Sequence, residues 1–103
     1  MKITKEAEGS RLTISIEGKL DALTAPELGK VIGSSLNGIT ELIFDLGSLE
    51  YTSSAGLREF LEAQQIMDEQ GTMILKNVNE LVMDILEETG FTDILEIEGA
   101  EIT

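Results

Sequence analysis

The chain has 103 residues, of which 42% are hydrophobic and 26% charged; that is enough for one packed domain over 1–103 and argues against wholesale disorder. Without cysteine or histidine there is no disulfide framework, no thiolate metal site and no imidazole base for neutral-pH catalysis. Twenty acidic residues against seven basic ones give a formal charge of −13, which disfavours nucleic acid and anionic membrane surfaces as partners and most commonly signals solubility.

Leu12, Ile14 and Ile16 alternate with Arg11, Thr13, Ser15 and Glu17, the period-two pattern of a strand with one buried face. An earlier strand over residues 2–6 is expected to pair with it through Glu8-Gly9-Ser10, so the chain opens with a hairpin. Thr24-Ala25-Pro26-Glu27 has the form of a capping box, with the threonine hydroxyl taking a backbone N–H, the glutamate reaching back and Pro26 in the first turn. The helix it starts carries Leu28, Val31, Ile32 and Leu36 on one face. Gly29 and Gly33 each cost that helix about 1 kcal/mol relative to alanine, which suggests close packing.

Leu42-Ile43-Phe44-Asp45-Leu46 reads as a central strand covered on both faces, with Asp45 the polar exception. From Ser54 to about Glu69 a helix is predicted: Leu57, Phe60, Leu61, Ala63 and Met67 share one arc, opposite Arg58, Glu59, Glu62 and Gln65. Gln64 falls inside the apolar arc and Ile66 on the polar side, where it is either incidental or a point of partner contact. Gly71 closes that helix, and Thr72-Met73-Ile74-Leu75 forms a further buried strand. Asn79 caps a helix expected to bury Leu81, Val82, Ile85 and Leu86 and to end near Gly90, and Ile94-Leu95-Glu96-Ile97 is a last edge strand. The expectation is an α/β fold: a mixed central sheet of four to five strands with an N-terminal hairpin and three to four helices. No apolar stretch approaches the roughly 20 residues that span a bilayer, and Met1-Lys2-Ile3-Thr4 does not begin a signal peptide, so a soluble cytoplasmic protein without direct membrane contact is expected.

The stretch Leu49-Glu50-Tyr51-Thr52-Ser53-Ser54-Ala55-Gly56-Leu57 places three consecutive hydroxyl residues between a buried strand and an amphipathic helix. A helix N-terminus offers unpaired N–H groups and partial positive charge, so a phosphate on Ser54 would gain about 0.3–1 kcal/mol locally. The same phosphate adds about −1.5 to −2 charges, which a partner surface fitted to a neutral hydroxyl would have to desolvate. A penalty on the order of 3–4 kcal/mol lowers affinity a few hundredfold. From propensity alone, Ser53 or Ser54 reads first as a plain helix cap.

Three segments widen the choice. Gly18-Lys19-Leu20-Asp21-Ala22-Leu23-Thr24-Ala25-Pro26-Glu27-Leu28 resembles the G-x-L-D-x-x-T-A-P-x-L segment of the STAS domain in anti-sigma factor antagonists. Phe44-Asp45-Leu46 followed by Tyr51-Thr52-Ser53-Ser54-Ala55-Gly56-Leu57 resembles that family's D-L…(I/M)-(D/S)-S-(S/A)-G-L segment, and Leu75-Lys76-Asn77-Val78-Asn79-Glu80 with Leu86-Glu87-Glu88-Thr89-Gly90-Phe91 resembles its third. The resemblance implies a protein-binding module that is not an enzyme and has no cofactor, catalytic residue or metal. On that resemblance an anti-sigma factor serine kinase is expected to phosphorylate it at Ser54 and a metal-dependent serine phosphatase to restore it. The resemblance further implies that the unphosphorylated form binds the anti-sigma factor kinase and releases sigma factor. It also implies a partner-binding set of Asp21, Thr24, Ser53, Ser54, Ala55, Gly56 and Arg58, with Asp21 hydrogen-bonding the serine region and helping to dock the kinase; a solvated or helix-capping carboxylate is the other reading of Asp21. Many founding members carry aspartate immediately before the phosphoserine where this chain has Ser53, which leaves Ser53 and Thr52 as secondary acceptors.

A serine hydrolase is disfavoured, because Ser54 lies in Ser-Ser-Ala-Gly and not in G-x-S-x-G, and there is no histidine to serve as base. Asp21 and Asp45 as a metal pair lack supporting ligands. The alternative from another class is an accessory STAS subunit of a lipid-transport ABC system, docking on its ATPase; membership of a larger stress-signalling assembly is a third.

Overall fold

A computed structural model of the chain describes residues 1–99. Strands β1 (Lys2–Glu8) and β2 (Arg11–Leu20) form the opening hairpin, antiparallel from Lys2↔Glu17 to Glu8↔Arg11. The turn is only Gly9-Ser10, and Gly9 sits at φ 61°, a left-handed conformation that glycine adopts without strain. Helix α1 (Ala25–Ser35) leads to β3 (Glu41–Asp45), which lies parallel to β2 on one side and to β5 (Thr72–Val78) on the other. Between β3 and β5 come β4 (Leu49–Thr52) and α2 (Ser54–Asp68). Helix α3 (Glu80–Glu88), a 3₁₀ turn (Phe91–Asp93) and β6 (Ile97–Gly99) complete the described chain.

The sheet has six strands, in the order β1-β2-β3-β5-β6, with β4 paired to the far end of β2. That is more than the four to five expected. The added strand is β4, whose four residues pair with β2 over Gly18↔Leu49, Lys19↔Tyr51 and Leu20↔Thr52. Glu50 is the extra residue of a bulge there, between the pairs Gly18↔Leu49 and Lys19↔Tyr51, and Gly18 takes a left-handed φ of 99° at the same point.

Leu12, Ile14 and Ile16 of β2, Leu42 and Phe44 of β3, and Met73 and Leu75 of β5 pack in one core with Leu28 and Ile32 of α1, Phe60 and Met67 of α2, and Val82 and Leu86 of α3. The Phe44 and Phe60 rings meet edge to face with centroids 5.0 Å apart. Ile43 lies outside this core. Because successive strand residues alternate faces, it points to the opposite side of the sheet, beside half-buried Thr13 and Ile74, where it is 8% exposed. The expected two-sided cover of β3 is therefore supplied on one side by helices and on the other only by neighbouring strand side chains.

Three further expectations change. Leu81 is 55% exposed, since the buried stripe of α3 runs through Val82 and Leu86, with Ile85 half-buried beside it. The last strand starts at Ile97 and not at Ile94 because the 3₁₀ turn intervenes; Leu95 then drops into the core and Ile94 is left exposed. Gly29 faces the Glu59 carboxylate of α2, where an added Cβ would lie 2.8 Å from Oε2, whereas Gly33 has open space around it. Close packing explains the first glycine and not the second.

Candidate functional site

The site is assembled where β2 and β4, paired in parallel, both end. Beyond Leu20 the chain folds into a turn held by its own side chains. Asp21 Oδ1 accepts from the Leu23 N–H (2.9 Å), the Thr24 N–H (3.1 Å) and the Thr24 hydroxyl (3.2 Å). Thr24 Oγ1 accepts from the Asp21 N–H (2.8 Å), and its proton is shared with the Lys19 carbonyl (3.0 Å). The Ala25 N–H already reaches the Asp21 carbonyl (2.8 Å). Helical bonding thus begins at Asp21, and the reciprocal pair is Asp21 with Thr24, not Thr24 with Glu27. Thr24 has φ −99° and ψ −22°, inside the helical region, and its side chain makes no cap bond forward; a cap needs the extended conformation. The backbone N–H donors of Leu23 and Thr24 hold the Asp21 carboxyl below the usual aspartate range.

On the other segment Ser53 is the cap residue of α2 by backbone, with φ −92° and ψ 177°. Its N–H donates to the Leu20 carbonyl (2.8 Å), and its carbonyl accepts from the Leu57 N–H (3.1 Å) and the Thr52 hydroxyl (3.2 Å). The Leu20–Ser53 bond joins the turn to the helix start. Gly56 is buried at the closest approach of the two, and a Cβ there would overlap Thr52 Oγ1 and the Leu20 side chain.

The three consecutive hydroxyls are in unlike settings. Thr52 is 1% exposed, Ser53 Oγ is buried without a hydrogen-bond partner, and Ser54, the first residue of α2, stands in solvent. Ala55 is half-buried against the core, and Arg58 is exposed one turn beyond Ser54 on the same helix face. The structure therefore brings Asp21, Thr24, Ser53, Ser54, Ala55, Gly56 and Arg58 to one end of the molecule. It does not bond Asp21 to the serines: all the hydrogen bonds of that carboxylate stay within its own turn. Asp45 is engaged elsewhere, accepting from the Gly47 N–H (3.0 Å) and Asn77 Nδ2 (3.1 Å). Among the described residues no group of three or more acidic side chains is placed to hold a metal ion.

Sequence reasoning passed over Leu23, which is 90% exposed on the turn beside this site. The available signal was an Ala22-Leu23 pair lying outside every apolar period yet between two residues that fasten a turn.

Comparison with known proteins bears on the arrangement. The family model described as "STAS domain" matches residues 2–101. The anti-sigma-B factor antagonist of Listeria monocytogenes is 30% identical over 100 residues, covering 94% of this chain and 87% of that protein. Among solved structures, an anti-sigma factor antagonist from Mycobacterium paratuberculosis superposes with a TM-score of 0.86 at 19% identity, covering 94% of this chain and 84% of that one. The antagonist SpoIIAA matches in its unphosphorylated form with a TM-score of 0.71 at 17% identity over 90% of this chain and 97% of its own. Its phosphorylated form, from Bacillus, matches with 0.73 at 17% identity over 93% and 90%. At these identities the solved structures speak to the fold.

Proposed function

Because the chain belongs to the STAS domain, anti-sigma factor antagonist family, we propose that it is a cytoplasmic, non-enzymatic binding module whose partner affinity is set by phosphorylation of Ser54. Unphosphorylated, it captures an anti-sigma factor kinase and frees sigma factor; phosphorylated, it releases that partner until a metal-dependent serine phosphatase resets it. The observation that carries the reading is the exposure of Ser54 between buried hydroxyls and the N–H groups of α2. An enzyme can reach Ser54 without unfolding anything, while Thr52 and the Ser53 hydroxyl are buried, which supports Ser54 as the acceptor. The first turn of α2 favours the added charge locally by about 0.3–1 kcal/mol, so the fold survives modification. A partner pressed against the serine must desolvate about −1.5 to −2 charges.

The test is incubation with ATP and anti-sigma factor kinases, read by mass spectrometry. One phosphate should appear at Ser54 and vanish in Ser54→Ala. Ser54→Asp should keep its thermal midpoint and bind the kinase a few hundredfold more weakly, for a penalty on the order of 3–4 kcal/mol. Absence of phosphate transfer, together with co-purification of a transporter ATPase, would overturn the switch in favour of an accessory transport subunit.

A further inference from the structure

Leu23 is 90% exposed, well beyond the next most exposed large apolar residues, Leu81 at 55% and Ile94 at 54%. A single exposed leucine is ordinary; its mounting here is not. The Leu23 N–H is fastened to Asp21 Oδ1, and the turn is closed on both sides by the Asp21–Thr24 pair and by the Thr24 hydroxyl on Lys19. Ala22 before it and Pro26 after it are exposed as well, so the tip of the turn is apolar. Through the Leu20–Ser53 hydrogen bond the strand end that leads into this turn is held to the cap residue of α2, one residue before Ser54. An apolar side chain held on a rigid mount loses little conformational freedom on binding, and residues of this kind dominate interface energies when they enter a pocket.

Resting on the switch proposed above, we infer that Leu23 is the apolar anchor of the same interface, entering a hydrophobic pocket of the anti-sigma factor kinase that lies beside its contact with Ser54. Asp21 is then a positioning residue: it fixes the turn that presents Leu23 and does not itself touch the partner. Continuity with Ser54 selects this occupant. One docking surface holds both the anchor that supplies affinity and the hydroxyl whose charge cancels it.

The test uses the full chain and the kinase that phosphorylates Ser54 in the assay above. Leu23→Ala should weaken binding of the unphosphorylated protein about ten- to a hundredfold, the value of burying one leucine side chain, with an unchanged thermal midpoint. Leu23→Met should restore most of the affinity, and a photoreactive p-benzoylphenylalanine at position 23 should cross-link to the kinase. Phosphate transfer to Ser54 with Leu23→Ala affinity within threefold of the parent and no cross-link would overturn the anchor and leave the switch standing. A parallel loss of thermal stability in Leu23→Ala would assign the leucine to the folding of the turn and also overturn it. So would a self-dimer of the isolated protein that disappears in Leu23→Ala, which would make a second copy the occupant. If no kinase transfers phosphate to Ser54, the switch falls and the anchor with it.

Discussion

Gly56 sits where α2 passes closest to the ends of β2 and β4. The space a Cβ would take is already filled by Leu20 and Thr52, both buried. Gly56→Ala should therefore cost about 1–3 kcal/mol, the usual range for overpacking a closed site, read as a lower denaturation midpoint; an unchanged midpoint would show that the helix simply shifts outward. Asp21 yields a prediction with a pH sign. Its carboxyl is held below the usual aspartate range by the backbone donors of Leu23 and Thr24, so its contribution to stability is complete above about pH 3.9 and lost as the pH falls through the lowered folded value. Protection of the Leu23 amide from hydrogen exchange should fall in that acid window, and in Asp21→Asn the acid step should vanish while the turn persists. An identical acid step in the variant would sink the assignment. Sequence spacing favoured Thr24 with Glu27 as the cap. The carboxylate three residues earlier prevails because it reaches two N–H groups at once, and a four-residue motif scan does not weigh a competitor upstream.

At the level of elements, α1 carries the clearest test of the packing. Gly33 lies within the helix and meets nothing where a Cβ would be, so Gly33→Ala should raise stability by about 0.5–1 kcal/mol; a loss, measured by denaturant unfolding, would mean that the surface is occupied. β2 and the three helices were legible because their apolar periods are long enough to separate 2.0 from 3.6, and β3 and β5 because each is a short continuous apolar run of strand length. β4 was not. Its four residues run buried-exposed-exposed-buried across a bulge, which breaks the alternation that would have announced a strand. The end of β2 was missed for a related reason, since Gly18 interrupts the pattern while changing the strand's partner. At the C-terminal end, the apolar run from Ile94 is shared between a 3₁₀ turn and a strand, and neither is long enough to show a period. Of the site, the hydroxyl cluster and its place at a helix start were legible; the tie from Leu20 to Ser53, which spans 33 residues of sequence, is written in no local pattern.

Across the whole molecule, charge is the dominant unshared quantity. The formal charge is −13, and among the described residues one ion pair forms, Arg11 with Glu41 at 3.0 Å. Most carboxylates therefore repel one another without a close partner. Raising ionic strength from about 0.01 M to about 0.15 M shortens the screening length from about 30 Å to about 8 Å. The thermal midpoint should rise by a few degrees, equivalent to somewhat under about 1 kcal/mol for a domain of this size; a fall would show that attractive pairs outweigh repulsive ones.

The bond between Leu20 and Ser53 carries one more meaning. A peptide copied from the α2 start would contain Ser54, the proposed acceptor, but not the turn that flanks it, and a nascent or damaged copy of the chain would be equally incomplete. A kinase that docks on both would pass over such material, so the phosphate mark would accumulate only on molecules that have already reached their native form. Quality control would be built into the signal itself, without a separate sensor.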